Sequence, residues 1–156
     1  MNMDQIEPCE PCEPCELCQF PGGEILWQDD LCRVVRVGGD EGRDYPGYCR
    51  VIWRAHVSEM SDLPDADRAH LQALVYATET VLRACYRPHK INLASLGNIV
   101  PHLHWHVIPR FSDDRHFPAP IWAKPRRAAS PSRAEVSSAV LRQAITQALA
   151  GKQGSS

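Results

Sequence analysis

The chain has 156 residues, of which 44% are hydrophobic and 23% charged, and its formal net charge is -2 at pH 7. This length and composition are typical of one globular domain. No segment approaches the roughly 18 apolar residues of a membrane span, and the N-terminus lacks the basic start and apolar stretch of a secretory signal, so we expect a cytoplasmic protein without a membrane partner. The charge balance excludes a typical nucleic-acid-binding domain, which carries a strong basic patch.

Cysteine is frequent, with seven in the chain. Without an export signal, these residues favour metal binding or burial over disulfides. The N-terminal repeat EPCEPCEPCELC, residues 7–18, places a cysteine at every third position, as Cys9, Cys12, Cys15 and Cys18. Because proline disfavours a helix and the acidic composition disfavours packing, residues 1–14 are predicted to form a loose tail.

The next segments have the pattern of short strands. β-branched and aromatic residues predict strands over 24–28 and 32–37, which form a hairpin. Glycines and a proline predict a turn-rich loop over 38–47. Alternating apolar and polar residues then predict a half-exposed strand over 48–55.

A change of period marks the long helix. Apolar residues recur at intervals of three and four over 65–85, which predicts an amphipathic helix with Ser61 or Asp62 as its cap. Pro88 lies beyond its predicted end.

Two further strands, over 90–97 and 102–110, precede the C-terminal part of the chain. There, Ser132 and Glu135 have the spacing of a capping box, which predicts a last helix to about Leu149. The order β-β-β-α-β-β-α predicts an α+β fold: a mainly antiparallel sheet with one long central helix and a C-terminal helix.

Three histidines alternate with apolar residues in PHLHWHVIPRF, residues 101–111. A strand advances about 3.3 Å per residue and alternates its faces, so His102, His104 and His106 share one face and the intervening Leu103 and Trp105 face the core. A row of histidines without a role is a poor explanation, because histidine has no special preference for strands.

Two chemistries fit such a row. Histidines two residues apart, with a third ligand, can bind a catalytic zinc that keeps an open position for water. Alternatively, one neutral imidazole attacks phosphorus with its free nitrogen while the other nitrogen donates its N–H to a carbonyl.

The motif HLHWHVI matches the pattern His-φ-His-φ-His-φ-φ, with φ apolar, and resembles that of the histidine-triad (HIT) family of nucleotidyl hydrolases and transferases. WQDDLCRVVRV resembles the family's early hairpin, and INLASLGNIVPHLHWHVIPR its paired central strands. The resemblance covers residues 15–122 as a HIT domain and leaves residues 123–150 as a C-terminal extension that contains the last helix.

This resemblance implies a HIT-like fold and a hydrolase of nucleoside phosphoanhydrides or phosphoramidates, of the dinucleoside polyphosphate or adenosine phosphoramidate type. The reaction would pass through a covalent nucleotidyl-histidine intermediate. A purine nucleotide substrate, a homodimer and the lack of any organic cofactor or nucleic acid polymer partner are also implied.

The resemblance assigns roles to individual residues. The central histidine, His104, corresponds to the nucleophile, and His102 and His106 flank it. Asn98 and Asn92 resemble the family's substrate-contacting amides, and Asp40 its ribose-binding residue. The segment HFPAPIW, residues 116–122, is expected to close over the site with Trp122 stacking on the substrate, and a simple packing role for Trp122 is the alternative. Tyr48 is a departure, because many members have histidine there, and a phenol is rarely charged.

Some HIT members bind a structural zinc, and the resemblance extends to the ligands. The corresponding residues are Cys15, Cys18, His56 and His102. Two thiolates and two imidazoles form a closed tetrahedral site with no open position for substrate. The alternative is that the cysteine repeat is a loose tail and the site is empty.

Two other functions stay open. One is a nucleotide-binding regulator with little turnover, and the other is a zinc-dependent hydrolase that uses the histidine row as ligands. The remaining histidines, His70, His89 and His116, have no comparable context and are expected at the surface.

Overall fold

The computed structural model describes residues 15–151, so the predicted tail over 1–14 lies outside the described residues. Five strands form one antiparallel sheet in the order β1-β2-β3-β5-β4. The predicted α+β fold with a mainly antiparallel sheet is confirmed. The strands are β1 (Glu24–Gln28), β2 (Cys32–Arg36), β3 (Cys49–Trp53), β4 (Lys90–Ala94) and β5 (His104–Arg110).

Two long helices cover one face of this sheet, α3 (Asp65–Tyr86) and α4 (Ser138–Ala150). Helix α3 packs against β2, β3 and β5, and α4 packs against α3 and β1. Their apolar faces are fully buried at Leu71, Leu74 and Leu82 of α3 and at Leu141 and Ile145 of α4. Helix α4, although it lies in the predicted extension, therefore belongs to the same hydrophobic core as the sheet.

The opposite face of the sheet is covered by short segments. Helix α1 (Glu16–Gln19) buries Leu17 against Val35 and Ile52, while α2 (Gly39–Asp44) lies within the segment predicted as a turn-rich loop. Because both faces are covered, β3 is largely buried and not half exposed as predicted. None of the helices within residues 15–151 is both long enough and apolar enough to cross a membrane.

Several element ends differ from the predictions. Strand β5 begins at His104, so His102 precedes it. Helix α4 begins at Ser138, where the Ser137 side chain accepts a hydrogen bond from the Val140 N–H. The predicted capping box is wrong, because the carboxylate of Glu135 pairs with Arg36 of β2 and does not cap a helix.

The start of α3 also differs. Its N-cap residue is Pro64, which makes no side-chain cap. Asp62 instead closes a separate short turn, in which its side chain accepts a hydrogen bond from the backbone N–H of Glu59.

Candidate functional site

A cavity of about 450 Å³ opens on the sheet face opposite α3. The ends of β3 and β5 form its floor, and the loop over 96–100 and the segment around Trp122 form its walls. Chemically active side chains on its lining are His104, His106, Arg50, Asn98, Glu16 and Glu41.

His104 presents one ring nitrogen to this cavity. Its Nδ1 lies 2.6 Å from the backbone carbonyl oxygen of His102. A carbonyl only accepts, so Nδ1 carries the proton and donates it, and Nε2 keeps its lone pair. Burial, together with the nearby charge of Arg50, lowers the pKa of this imidazole. The arrangement is that of a neutral imidazole with a free nitrogen available for attack.

His106 lies beside His104, with a distance of 4.8 Å between the ring centroids. Its Nδ1 is 2.6 Å from the hydroxyl of Tyr48. Burial, followed by the charges of His104 and Arg50, lowers the pKa of His106 to about 3, and burial raises the pKa of Tyr48 to about 12. Both groups are therefore neutral near pH 7. When the phenol donates to Nδ1, the proton of His106 resides on Nε2, where it can be donated to a ligand.

Arg50 also lines the cavity, although no sequence motif assigns it a role. Strand register places it directly opposite His106, on the same face as Tyr48. The alternation in β3 shows which face Arg50 occupies, but only the pairing of β3 with β5 shows that this face carries the histidines.

Two predicted substrate residues lie at the cavity. Asn98 is on its lining, in the loop that precedes β5. Trp122 also lines it, and its ring centroid is 4.9 Å from that of His106. Trp122 is close to the flanking histidine of its own chain.

Two other predicted residues do not line the cavity. Asn92 accepts a hydrogen bond at Oδ1 from Nη1 of the buried Arg110, at 2.7 Å. The side chain of Asp40 is exposed and pairs with Arg43 on α2. Successive helical residues point in directions about 100° apart, and it is the next residue, Glu41, that faces the cavity.

A buried ion pair supports the segment that carries Trp122. The carboxylate of Asp114 accepts from Nε of Arg110 at 2.7 Å and from Nη2 at 3.1 Å, and both side chains are 1% exposed. Nη2 of Arg110 also donates to the carbonyl of Ala119 at 2.7 Å. His116, expected at the surface, is buried here and hydrogen-bonded through Nδ1 to the hydroxyl of Tyr45.

The four predicted metal ligands form a cluster on the other side of His104. The ligand atoms of Cys15, Cys18, His56 and His102 all lie within 4.8 Å of one another. Nδ1 of His102 is 3.4 Å from Sγ of Cys15, 3.5 Å from Sγ of Cys18 and 3.3 Å from Nδ1 of His56. Bonds of about 2.3 Å to sulfur and about 2.0 Å to nitrogen at a tetrahedral centre separate ligand atoms by about 3.3 to 3.8 Å, so the donor set fits zinc.

The second nitrogen of His102 supports this role. Nε2 lies 2.6 Å from the carbonyl oxygen of Trp53, to which it donates its proton. Nδ1 is thereby left with its lone pair toward the cysteines, the usual arrangement of a metal-binding histidine. The three histidines of the row thus separate into His102 at the cysteine cluster and His104 and His106 at the cavity.

Solved structures of histidine triad proteins share this fold. One from Bradyrhizobium japonicum has a TM-score of 0.63 at 24% identity, covering 81% of this chain and 90% of its own. A Zn-bound histidine triad family protein from Mycobacterium smegmatis has a TM-score of 0.54 at 20% identity, covering 83% and 88%.

The comparison of sequences finds a relative with a named activity. An AP-4-A phosphorylase of Mycobacterium tuberculosis is 35% identical over an alignment of 78 residues, and the match covers 46% of this chain and 40% of that relative. This chain therefore matches less than half the length of the relative. The family model of the HIT domain matches the sequence of residues 23–113, which is more than half of the chain. By this match, and by the fold it shares with histidine triad structures, the chain belongs to the HIT family.

Proposed function

We propose that the protein hydrolyses nucleoside phosphoanhydrides or phosphoramidates, such as dinucleoside polyphosphates or adenosine phosphoramidate, through a nucleotidyl group carried on His104. The observation that carries this proposal is the lone pair on Nε2 of His104, a residue of the cavity lining, which is left free because Nδ1 donates to the His102 carbonyl. The AP-4-A phosphorylase relative supports a nucleotide substrate.

The reaction has two steps. In the first, the lone pair on Nε2 of His104 forms a bond to the α-phosphorus while the bond to the leaving group breaks, and its electron pair departs with that group. A phosphate leaves as the anion, whereas an amine takes up a proton from solvent as it leaves. Water then adds to phosphorus, the P–N bond breaks, the imidazole recovers its lone pair and one proton is released. His106, held by Tyr48, donates from Nε2 to a phosphate oxygen and so stabilises the charge that builds up there.

The cavity walls fit the rest of a nucleotide. Asn98 lines the same cavity as the histidines and would contact the phosphates, and Trp122 offers an aromatic face beside His106. Glu41, which lines the cavity where Asp40 does not, takes the role of hydrogen-bonding the ribose hydroxyls. A purine base is proposed from the resemblance to the family alone.

Zinc belongs to the proposal as a structural ion held by Cys15, Cys18, His56 and His102. It would crosslink α1 to the segment before β5, with no open position for substrate. The zinc-dependent hydrolase is disfavoured, because the row does not act as one ligand set: His102 turns toward the cysteines and the other two toward the cavity.

A homodimer is also part of the proposal. Strand β4 is at the edge of the sheet, and unpaired edges of this kind favour pairing with another chain. Exposed apolar side chains continue from that edge into the following loop, at Leu93, Leu96 and Ile99.

Trapping the covalent intermediate tests the chemistry. Substrate labelled at the α-phosphate is mixed with excess protein and quenched in alkaline detergent. We expect label on the wild-type chain and none on His104→Ala, whose turnover should fall by several powers of ten, since removal of a covalent nucleophile can cost about 10⁶. His89→Ala, an exposed histidine away from the cavity, is the matched control.

The alternatives give other results. A nucleotide-binding regulator would bind the nucleotide but show neither adduct nor turnover. A zinc-dependent hydrolase would lose activity with a chelator and form no adduct. Unchanged turnover in His104→Ala would refute the nucleophile.

A further inference from the structure

Arg50 occupies a position from which it can reach a ligand held at His104. It pairs directly with His106 across β3 and β5. Opposite residues of an antiparallel pair have Cβ atoms about 5 Å apart on one face of the sheet. Among the described residues that line the cavity, Arg50 is the one with a permanent positive charge.

The donors of Arg50 are poorly used within the protein. Nη1 is 3.4 Å from the carbonyl of Gly22, Nη2 is 3.4 Å from a carboxylate oxygen of Glu41, and Nε is buried without a hydrogen-bond partner. The guanidinium also lies 5.6 Å from the ring centroid of Tyr48 and interacts with its hydroxyl. N–H···O hydrogen bonds in proteins are usually near 2.9 Å, so the contacts of Arg50 with Gly22 and Glu41 are weak.

Arg110, a buried arginine on the same sheet face, shows the contrast. Arg110 makes four side-chain hydrogen bonds of 2.7 to 3.1 Å, to Asp114, Asn92 and Ala119. Its donors are satisfied by the fold, and its role is structural. The pair of Arg50 with Glu41 has one half-exposed partner, and such pairs contribute little to stability. A structural role therefore accounts for Arg110 but not for Arg50.

We propose that Arg50 binds a phosphoryl group next to the one that His104 attacks, and so directs the site to nucleotides with a polyphosphate chain. This inference rests on the proposed function. A polyphosphate leaving group departs with negative charge, which a guanidinium binds through charge-assisted hydrogen bonds. The amine released from a phosphoramidate offers no such anion, so Arg50 contributes little to that reaction.

The first test compares two substrates. We would measure kcat/KM for diadenosine tetraphosphate and adenosine phosphoramidate with wild type, Arg50→Gln and Arg50→Lys. Loss of a hydrogen bond to a charged group predicts a roughly 10- to 100-fold decrease for the polyphosphate in Arg50→Gln, and less than about fivefold for the phosphoramidate. Arg50→Lys should recover part of the loss. Arg54→Gln, an exposed arginine at the end of the same strand, is the control and should change neither value.

The second test needs no turnover. Titration calorimetry with His104→Ala should show tighter binding of ADP than of AMP by about tenfold or more, and His104→Ala with Arg50→Gln should lose that preference. Equal losses on both substrates, an unchanged ADP preference, or turnover of the phosphoramidate alone would overturn the inference. If wild type turns over neither substrate, the proposed function fails, and the ADP preference still decides the role of Arg50.

Discussion

Asp114 offers a sharp test of how the wall of the cavity is held in place. Its carboxylate accepts hydrogen bonds from Nε and Nη2 of Arg110 and from the backbone N–H groups of Phe111, His116 and Phe117. These bonds fold the segment that leads to Trp122. Asp114→Asn keeps the shape of the side chain but removes its charge and replaces an accepting oxygen with a donating NH₂ group.

The expected cost follows from burial. Asp114 and Arg110 are each 1% exposed, so the variant leaves a cation in the interior without its counter-ion. Removal of one partner from such a pair costs about 3 to 5 kcal/mol. A domain of this kind has a free energy of unfolding of about 5 to 15 kcal/mol, so the loss is a large share of the total.

The effect should also depend on pH. Burial alone would raise the pKa of Asp114, but the hydrogen bonds from Arg110, His116 and Phe117 outweigh it and hold the pKa below its usual value. Because the folded state binds this proton less readily than the unfolded state, the stabilisation is present above about pH 4, the unfolded pKa, and is lost as the pH falls through the folded pKa. The gap between wild type and Asp114→Asn should shrink in acid.

Urea unfolding followed by circular dichroism at pH 7 measures this difference. The matched control is Asp113→Asn, the same substitution one residue earlier, where the carboxylate is 56% exposed and pairs with Arg133. Exposed pairs are worth about 0 to 1 kcal/mol, so the control should stay close to wild type. If both variants lose the same stability, the reasoning from the buried pair is refuted.

Two further predictions concern zinc and assembly. Purified protein should carry about one zinc per chain by elemental analysis. Cys18→Ser should lose this zinc, while Cys85→Ser, at a cysteine outside the cluster, should retain it. Stoichiometric zinc in Cys18→Ser would contradict the ligand set. Chelation should lower the melting temperature of wild type, since an ion that binds only the folded state stabilises it. Light scattering should give the mass of a dimer, and Leu93→Glu at the exposed edge should give a monomer; a wild-type monomer at micromolar concentration would count against the homodimer.

Local patterns predicted much of the fold. Residue composition and alternation predicted the five strands, and apolar residues at intervals of three and four predicted α3. The last helix was expected from a capping box that the structure does not contain, although α4 does form. The heptapeptide motif placed His104 and His106 on a strand with Trp105 directed to the helices. These predictions depend on neighbours within a few residues, which a sequence displays directly.

The errors concern choices that depend on distant residues. The residues next to His102 do not show that strand β5 begins after it. The start of the strand depends on distant residues, because the His102 ring contacts Cys15 and its Nε2 donates to the backbone carbonyl of Trp53. Likewise, Asn92 bonds to Arg110 because both lie on the same sheet face, a matter of strand pairing. Arg50 was overlooked for the same reason.

Asp40, the residue expected to bind the ribose, does not line the cavity, whereas the next residue, Glu41, does. The segment over 38–47 contains a short helix, in which a shift of one residue turns a side chain from the cavity to solvent. The capping box at Ser132 failed because the carboxylate of Glu135 has a stronger partner in Arg36. A motif of two residues predicts a local structure only when no distant charge competes for one of them.

His102 serves two sites with different atoms: its ring belongs to the cysteine cluster, and its backbone carbonyl fixes the proton of His104. Any side-chain replacement there leaves the carbonyl in the chain but frees the segment that carries it. Impaired turnover in such a variant would therefore report a displaced main chain as much as a missing imidazole. Mutagenesis at this position measures the linkage between the two sites, and a separate zinc measurement is needed to attribute the loss to either.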